Sequence, residues 1–418
     1  MTDIRAALQE LHQLGLYRHT RMISGPQGPQ VLLDGRPVLL LCSNNYLGFA
    51  EHPRVREAAA DAAMRWGVGA GASRLVSGTM TIHDTLEQRL AEFKRSEGCV
   101  LFGSGYLANI GVISALAPRG TTVFSDALNH ASIVDGCRLA GAETFVYEHC
   151  AIDHLAWGLA QAGAGSLIVT DSVFSMDGDV APLGEIVELA QRHGARVVVD
   201  EAHATGALGP GGRGAVAEAG LESAIDVIVG TLGKALGSYG AYVCASGEIV
   251  EYLVNVARPL IFSTAPPPPA VAGALAAVEL LAEQPRRVDK LQANAATMRS
   301  ELARAGITSP AGRTQIIPLV VGDAQASVAV SAAALARGVF VGAIRPPTVP
   351  AGSSRLRLAV MASHTTSDLA RAATAIAAAA RDVGVRFADA KASGPGKKRR
   401  KRMREERGAA PPPVARAA

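Results

Sequence analysis

Short apolar segments alternate with helical segments between Cys99 and Val229, and this alternation restricts the possible folds more than any other feature of the chain. Residues 196–200, RVVVD, are typical of the apolar segments, and residues 107–116 and 183–193 are typical of the helical ones. Strands that alternate with helices form a mostly parallel sheet that is covered by helices on both faces. We therefore predict an α/β fold with such a sheet at its centre.

The residues that follow the predicted strands indicate where a ligand binds. In parallel sheets the ligand lies beyond the carboxyl ends of the strands. We predict strands at residues 99–102, 122–125, 144–147, 166–170, 196–200 and 227–229. The residues that closely follow them, and that we expect to gather at one edge of the sheet, are Gly105, Tyr106, His130, Ser175, Asp200, His203, Thr231 and Lys234.

The chain divides into four parts by its sequence patterns. An amphipathic helix at residues 2–16 and a hairpin around Asp34-Gly35 come before the α/β region. A proline-rich break follows Arg258, and residues 316–321, 339–343 and 355–360 indicate further strands among Ala-rich helices. The predicted parts are an N-terminal arm and hairpin at residues 1–48, a large domain at 49–258, a smaller α+β C-terminal domain at 259–388 and a disordered basic tail at 389–418.

Charge is distributed unevenly along the chain. The net charge is +4, but ten basic and two acidic residues lie from Lys391 onward, so the rest of the chain is slightly acidic. The body therefore gives no reason to expect nucleic-acid binding. We interpret the tail as a solvated extension, and the alternative is a contact with RNA or with an acidic partner.

The cysteines and the apolar stretches exclude several other classes of protein. Five cysteines are scattered without a CxxC pair, as is typical of free thiols in a reducing cytoplasm. His149, Cys150 and His154 could be metal ligands, but no second pair accompanies them, so we predict a loop and no metal site. The N-terminal residues lack the apolar segment of a secretory signal, and residues 270–278 are too short to span a membrane. We therefore expect a soluble cytoplasmic protein.

A single lysine, Lys234, stands in a turn of small residues after the last predicted strand of the array. Thr231, Gly233 and Gly237 surround it in the sequence and leave little steric bulk between the amine and a bound ligand. Buried lysine amines have a lowered pKa and act as nucleophiles in Schiff-base enzymes. The alternative is a lysine that extends from a glycine-rich loop into water. The turn by itself fits both interpretations.

Asp200 and His203 follow a buried strand and fit the chemistry of a pyridine cofactor. A carboxylate at this place can keep a pyridine nitrogen protonated, which makes the ring an electron sink, and His203 can reach its phenolic oxygen. The alternatives are a helix cap and a structural histidine. Gly105 and Tyr106, at a helix start, offer N–H groups to a phosphate, or simply cap the helix.

Other residues complete such a site, although each also has a structural interpretation. Thr231 and Ser175 can donate hydroxyl hydrogen bonds or cap helices, and His130 can stack on a ring or be a buried histidine. Arg345 and Arg357 can bind a carboxylate, whereas an isolated arginine is usually a surface ion-pair partner. Together these residues supply every part that a pyridoxal phosphate site requires.

The motifs that carry these residues resemble those of the α-oxoamine synthase family of fold-type I pyridoxal phosphate enzymes. The resemblance covers residues 11–381 and implies a fold-type I aminotransferase-like fold, pyridoxal 5'-phosphate and a decarboxylating C-acyltransferase that works as a homodimer with a shared active site. The motifs are SNNYLG (43–48), GASRLVSGT (71–79), FGSGYLAN (102–109), NHASI (129–133), DSVFSMDGDVAPL (171–183), VDEAHATG (199–206) and TLGKALGSYGAY (231–242).

The resemblance also implies a role for each site residue. Lys234 holds the cofactor and removes the Cα proton, Asp200 pairs with the ring nitrogen, and His130 stacks on the ring. His203 and Ser175 lie near the phenolic oxygen. The implied phosphate ligands are Gly105, Tyr106 and Thr231, with Ser263 and Thr264 reaching the phosphate of the neighbouring subunit, and the implied substrate ligands are Arg18, Asn44, His130, Arg345, Thr348 and Arg357.

Residues 316–323 and 343–358 resemble one member of the family most closely, the biotin-pathway enzyme that condenses L-alanine with a pimeloyl thioester. The thioester is pimeloyl-CoA or pimeloyl-acyl carrier protein, and the sequence leaves the choice open. Alternatives with the same chemistry are glycine C-acetyltransferase, serine palmitoyltransferase and 5-aminolevulinate synthase. An alternative of another class is a non-catalytic scaffold, which the presence of Lys234, Asp200 and His203 disfavours.

Overall fold

The computed structural model describes residues 3–163 and 165–387, and its strands form three sheets. The predicted tail at residues 389–418 lies outside the described residues, so the prediction made for it stands untested. The strands are β1 (Ile23–Ser24), β2 (Gln30–Leu33), β3 (Arg36–Leu40), β4 (Gly98–Phe102), β5 (Thr122–Asp126), β6 (Glu143–Tyr147), β7 (Leu167–Asp171), β8 (Arg196–Asp200), β9 (Val227–Thr231), β10 (Ala241–Ala245), β11 (Ile316–Gly322), β12 (Val339–Phe340), β13 (Gly342–Ile344) and β14 (Ser354–Ala359).

Helices connect most of these strands. Several begin at side-chain caps; Ser104 and Ser246, for example, accept hydrogen bonds from the backbone N–H groups of Leu107 and Ile249. The helices are α1 (Ile4–Gln13), α2 (Pro53–Trp66), α3 (Thr81–Lys94), α4 (Gly105–Leu116), α5 (Ala131–Ala140), α6 (Ile152–Leu159), α7 (Leu183–His193), α8 (Ala215–Glu218), α9 (Gly247–Val256), α10 (Arg258–Ile261), α11 (Pro268–Glu283), α12 (Arg286–Arg304), α13 (Ala324–Ala336) and α14 (Thr366–Asp382).

The central sheet has seven strands in the order β4-β10-β9-β8-β7-β5-β6. The pairs from β9 to β6 are parallel, and β10 runs antiparallel to both of its neighbours, β9 and β4. The predicted α/β class with a mostly parallel sheet is therefore confirmed. Strand β10 was not predicted, because it follows β9 through a tight turn without the helix that marks the other strands.

Both faces of the central sheet are buried, as the apolar strands predict. In β8, Val197 and Val199 pack into one hydrophobic cluster, whereas Val198 packs into the cluster on the opposite face. All three side chains are almost completely buried. Burial on both faces explains why the strand is a continuous apolar run and not an alternating one.

A second, three-stranded sheet of order β11-β14-β13 has its own hydrophobic cluster, packed by α12, α13 and α14. The expectation of one continuous strand at residues 339–343 is wrong. Strand β12 pairs in parallel with β3, and β13 pairs with β14 in the other sheet. The chain changes sheets at Val341, whose fully buried side chain belongs to the cluster between them.

The N-terminal segment contains the predicted helix and hairpin. Asp34 and Gly35 both have positive φ angles, 50° and 79°, as a two-residue hairpin turn requires. The helix ends at Gln13 and not at residue 16, and its apolar side chains Ile4 and Leu8 are exposed. None of the described helices combines the length and hydrophobicity needed to cross a membrane. The four-part division of the chain stays a prediction.

Candidate active site

The turn between β9 and β10 places Lys234 at the carboxyl end of the central sheet. Thr231 shapes the turn, because its hydroxyl donates to the Gly240 carbonyl and accepts from the Gly233 N–H. Gly237 is required for a different reason than the sequence suggested. It has a φ of +64°, and a Cβ here would lie 2.3 Å from the Ala50 nitrogen. This glycine makes room for neighbouring backbone and not for a ligand.

The amine of Lys234 lies inside the site and not in bulk solvent. Its Nζ is 2.9 Å from Nε2 of His203. Burial lowers the pKa of Lys234 to about 8, while the carboxylates of Asp200 and Asp171 act in the opposite direction and Arg357 adds to the decrease. A fraction of the amine is therefore neutral, and nucleophilic, near physiological pH.

His203 is buried, and its imidazole connects Lys234 to Tyr46. Nδ1 of His203 is 2.6 Å from the Tyr46 hydroxyl, and the Tyr46 side chain is completely buried. Burial first, and then the positive charges of Lys234 and Arg357, hold the pKa of His203 well below its usual value. The imidazole is therefore neutral, with one N–H donor and one lone-pair acceptor.

Asp200 is a buried carboxylate whose hydrogen bonds come from neutral donors. It accepts from the Ala202 N–H at 2.7 Å and from the Asn109 side-chain amide at 2.6 Å. Asn109 also donates to the Ser132 hydroxyl, which is 2.7 Å from Nδ1 of His130. The side chains of Asn109 and Ser132 thus form a chain of hydrogen bonds between Asp200 and His130.

The N-terminus of α4 lies beside the Lys234 turn. A Cβ on Gly105 would be 3.9 Å from Cβ of Thr231, so the helix start and the turn are neighbours. The Tyr106 ring is 41% exposed and meets the His130 ring edge-on, with 6.4 Å between the ring centroids. The Tyr106 hydroxyl bonds to Asp135. Free N–H groups at a helix start favour an anion such as a phosphate.

Arg357 projects from β14 into the same site, although it belongs to the other sheet. Its side chain is 6% exposed and donates to the Ser175 carbonyl and, at 3.2 Å, to Oδ1 of Asn44. A third contact, 3.4 Å long, reaches the Tyr46 hydroxyl. Ser175 therefore takes part through its backbone carbonyl. A buried guanidinium that has only neutral partners is suited to binding a carboxylate.

The remaining predicted site residues do not join this cluster. Arg345 donates to the backbone carbonyls of Gly15 and Tyr17, and Arg18 donates to the carbonyl of Pro346. These contacts form an outer region, where the N-terminal arm meets the loop after β13. Thr348 is exposed in that loop.

Ser263 and Thr264 lie elsewhere, in the segment after α10. Thr264 forms an isolated antiparallel bridge with Ser73, and its side chain is exposed. Among the described residues, neither side chain forms a hydrogen bond with the Lys234 cluster, and their role in the neighbouring subunit stays a prediction.

Three buried residues of the site were not singled out from the sequence. Tyr46 and Asn109 are described above, and Asp171 is a carboxylate at the end of β7 that accepts the His130 N–H at 2.7 Å. All three lie inside the motifs SNNYLG, FGSGYLAN and DSVFSMDGDVAPL. The available indication was their position within these motifs and, for Asp171 alone, its place at the end of a strand.

The loop containing His149 lies between β6 and α6, as predicted. His149 bridges the carboxylates of Asp126 and Asp179, at 2.9 and 2.6 Å, and these hydrogen bonds, opposed by burial, raise its pKa to about 12. Ligand atoms of Asp126, His149 and Cys150 lie within 4.8 Å of one another. His154 instead accepts the Glu148 N–H.

The residues of the site fit pyridoxal phosphate. Burying the Asp200 carboxylate among neutral donors is costly unless a cation faces it, and a protonated pyridine nitrogen supplies that cation. The Lys234 amine can bond to an aldehyde, and the start of α4 can hold a phosphate.

Known proteins place this geometry in a family. The model of the family "Aminotransferase class I and II" matches residues 36–376. The chain belongs to that family. The 8-amino-7-oxononanoate synthase of Geobacter sulfurreducens is 50% identical over 387 residues, covering 92% of this chain and 99% of that protein. The enzyme of the same name from Anaeromyxobacter dehalogenans is 52% identical over 381 residues, covering 91% and 96%.

A solved structure agrees with these relatives. Serine palmitoyltransferase from S. paucimobilis, with a bound PLP–myriocin aldimine, superimposes with a TM-score of 0.86 at 33% identity, covering 91% of this chain and 97% of that one. The predicted fold-type I architecture and the resemblance to α-oxoamine synthases are confirmed. The chain is a pyridoxal-phosphate-dependent transferase of this family.

Proposed function

We propose that this enzyme condenses L-alanine with a pimeloyl thioester and releases CO2 and the free thiol, forming 8-amino-7-oxononanoate for biotin biosynthesis. The observation that supports this most strongly is the chain of buried side chains Lys234–His203–Tyr46–Arg357, which places an amine and a carboxylate-binding guanidinium in one site. An amino acid supplies a carboxylate that complements the guanidinium, and an amine of the same chemical type as that of Lys234.

Lys234 is proposed to have two tasks. Its amine, with a pKa lowered to about 8, holds the cofactor and later takes the Cα proton of the amino acid. When bound, pyridoxal phosphate supplies the electron-withdrawing ring that makes this proton acidic. Asp200 would stabilise the positive charge of the ring nitrogen, and His130 would pack against the ring.

Arg357 and Asn44 are proposed to bind the carboxylate of L-alanine. The guanidinium already points toward the interior of the site and is oriented by the Ser175 carbonyl. Preorganisation lowers the entropic cost of binding and fixes the Cα–H bond relative to Lys234. The alanine side chain needs no polar partner, so the subsite has to provide only a small apolar space.

The outer region is proposed to receive the acyl donor. Burial, and then the nearby positive charge of Arg18, lower the pKa of Arg345. Two neighbouring guanidinium groups favour an anionic donor, and both CoA and an acyl carrier protein are anionic. Thr348 in the adjoining loop is proposed to contact the same substrate.

A homodimer with a shared site is also proposed. Met64, Val68, Val76 and Phe262 are 89%, 80%, 79% and 71% exposed, which is unusual for large apolar side chains. Phe262 directly precedes Ser263 and Thr264. Val76 lies shortly after Ser73, the residue that forms the β-bridge with Thr264. A second copy that covers this surface would bring Ser263 and Thr264 to the partner's phosphate. The five free cysteines support a cytoplasmic location.

The test is a panel of amino acids and acyl thioesters with released thiol as the readout. We expect turnover with L-alanine and pimeloyl-CoA or pimeloyl-acyl carrier protein, and the comparison of these two identifies the donor. Turnover with glycine and acetyl-CoA, and none with alanine and the pimeloyl thioesters, would instead indicate glycine C-acetyltransferase. No turnover with any pair and no bound cofactor would support the scaffold alternative.

A further inference from the structure

The hydroxyl of Tyr46 is the central contact in the buried site. Its oxygen lies 2.6 Å from Nδ1 of His203, 3.0 Å from Oδ1 of Asn44 and 3.4 Å from Nη2 of Arg357. Burial raises the pKa of Tyr46, and Arg357 and a hydrogen bond from Gln315 offset part of the increase. The hydroxyl therefore keeps its proton and can donate only one hydrogen bond.

The neighbours of the hydroxyl limit where that proton can point. The guanidinium of Arg357 can only donate, so it cannot accept the Tyr46 proton. Oδ1 of Asn44 can only accept, and it lies within hydrogen-bonding distance of the Tyr46 hydroxyl and of Nη1 of Arg357. These contacts fix the orientation of the amide. The Tyr46 proton is thus directed either to Asn44 or to Nδ1 of His203.

The group that faces the other ring nitrogen decides between these two arrangements. Nε2 of His203 is 2.9 Å from the Lys234 amine. A lysine ammonium can only donate, so Nε2 must accept and the single N–H of the neutral imidazole must be on Nδ1. Nδ1–H then donates to the Tyr46 oxygen, and the Tyr46 proton points to Asn44.

An oxygen anion opposite Nε2 reverses this order. Such an anion can only accept, so Nε2 must carry the N–H and Nδ1 becomes an acceptor. The Tyr46 hydroxyl is the neighbour that can donate a hydrogen bond to Nδ1. The Tyr46 proton therefore turns from Asn44 to His203. This step rests on the proposed function, in which the phenolic oxygen of the cofactor faces His203.

We propose that Tyr46 is a positioning residue whose hydroxyl turns when the tautomer of His203 changes, and that it thereby couples the amine end of the site to the carboxylate subsite. With an amine opposite Nε2, Tyr46 fixes the Asn44 amide. With an oxygen anion opposite Nε2, Tyr46 supports His203, and Asn44 is held by Arg357. No bond other than hydrogen bonds changes, since the imidazole exchanges one N–H position and the hydroxyl rotates.

The test uses nitrogen NMR of the protein with ¹⁵N-labelled histidine rings, cofactor-free at pH 7 and loaded with pyridoxal phosphate. His203→Gln identifies the His203 resonances by their loss. We expect protonated Nδ1 in the cofactor-free protein and protonated Nε2 in the loaded protein. The same tautomer in both states would overturn the switch.

Tyr46→Phe supplies a second readout. Without the hydroxyl, Nδ1 of His203 loses its acceptor in the cofactor-free protein and its donor in the loaded protein, so we expect its ¹⁵N chemical shift to change in both states. Tyr147→Phe is the matched control, because Tyr147 is also fully buried and its hydroxyl is not part of this hydrogen-bond chain. Equal Nδ1 shifts in wild type, Tyr46→Phe and Tyr147→Phe would contradict the role of Tyr46.

The proposed function and the Tyr46 arrangement can fail separately. Wild-type protein that binds no pyridoxal phosphate would refute the proposed function. The cofactor-free spectrum would still decide the Tyr46 arrangement, since protonated Nε2 in that state contradicts the donor–acceptor assignment. A thermal unfolding scan of Tyr46→Phe against Tyr147→Phe separates a loss of folding from a loss of the switch.

Discussion

The inner and outer regions of the candidate site use the same side-chain types in different ways. In the inner region, Arg357 is 6% exposed and contacts the side chains of Asn44 and Tyr46. In the outer region, Arg345 and Arg18 are more accessible and donate to backbone carbonyls of Gly15 and Pro346. Arg357 belongs to a fixed network of buried side chains. Arg345 and Arg18 instead connect the N-terminal arm to the loop after β13, and arms and loops are generally more mobile than strands and helices.

This difference separates the chemistry from the delivery of substrate. Buried groups with fixed partners need little reorganisation when a charged ligand arrives, so they suit the reacting centre. Groups that hold arms and loops together suit a surface that must admit a long acyl chain. Substitutions in the inner region should therefore reduce catalysis, and those in the outer region should mainly alter the use of the acyl donor.

The largest effect is expected from Lys234→Ala. Without the amine that is proposed to hold the cofactor and to move the proton, turnover should fall by at least about 10³-fold, and the visible absorbance of the bound cofactor should change. Lys290→Ala, at an exposed lysine, is the control and should behave as wild type. Thiol release and absorbance spectra measure both. Comparable turnover in the two variants would remove Lys234 from the chemistry.

Arg357→Lys and Arg345→Lys compare the two regions directly. Arg357→Lys removes the planar guanidinium but keeps the positive charge. Because a lysine cannot bind a carboxylate with two parallel hydrogen bonds, we expect KM for L-alanine to rise about 100-fold. Arg345→Lys should change that KM by less than about threefold, because its partners belong to the arm. Steady-state kinetics with the amino acid varied gives both values. Equal increases would erase the distinction between inner and outer regions.

The pH dependence of cofactor capture tests the environment of Lys234. Only the neutral amine attacks an aldehyde, and a pKa of about 8 means that lowering the pH through 8 protonates it. The rate of pyridoxal phosphate capture by cofactor-free protein should rise about tenfold from pH 7 to pH 9 and then level off. A rate that continues to rise toward pH 10.5 would indicate an ordinary, solvated lysine.

The smallest effect is expected on stability, from two glycines of the same turn. Gly237→Ala forces a Cβ against the backbone of Ala50 at a positive φ and should lower the free energy of unfolding by about 1–3 kcal/mol. At Gly233 the nearest atom to a built Cβ is 3.6 Å away, so Gly233→Ala should be nearly neutral for stability. Thermal unfolding compares them, and equal melting temperatures would contradict the close approach.

The sequence predicted those elements whose residues repeat a periodic pattern. Strand β8 and helix α7 have the predicted bounds, because an apolar run and a 3.6-residue period are local properties. Strand β10 was missed, since its position between β9 and β4 depends on partners distant in sequence. The same reason explains the division at Val341, where neighbouring residues pair with different sheets.

The candidate site shows the same limit. Lys234, Asp200 and His203 could be selected from the sequence because each follows a strand end and has a recognisable chemistry. Tyr46 and Asn109 could not, because their importance lies in contacts across the sequence, such as the hydrogen bond from Tyr46 to His203. Conversely, the sequence suggested that Gly237 leaves space for a ligand, whereas in the structure it allows the backbone at Ala50 to pack closely.

Lys234 is proposed to be the lysine that holds the cofactor, within a preassembled buried network. Borohydride reduction of the wild-type protein loaded with pyridoxal phosphate, followed by peptide mass spectrometry, locates the modified amine. We expect a single modified peptide containing Lys234, and no modification of Lys94, which is buried against Glu201. Stoichiometric modification of Lys94, Lys290 or another lysine, with Lys234 unmodified, would contradict it.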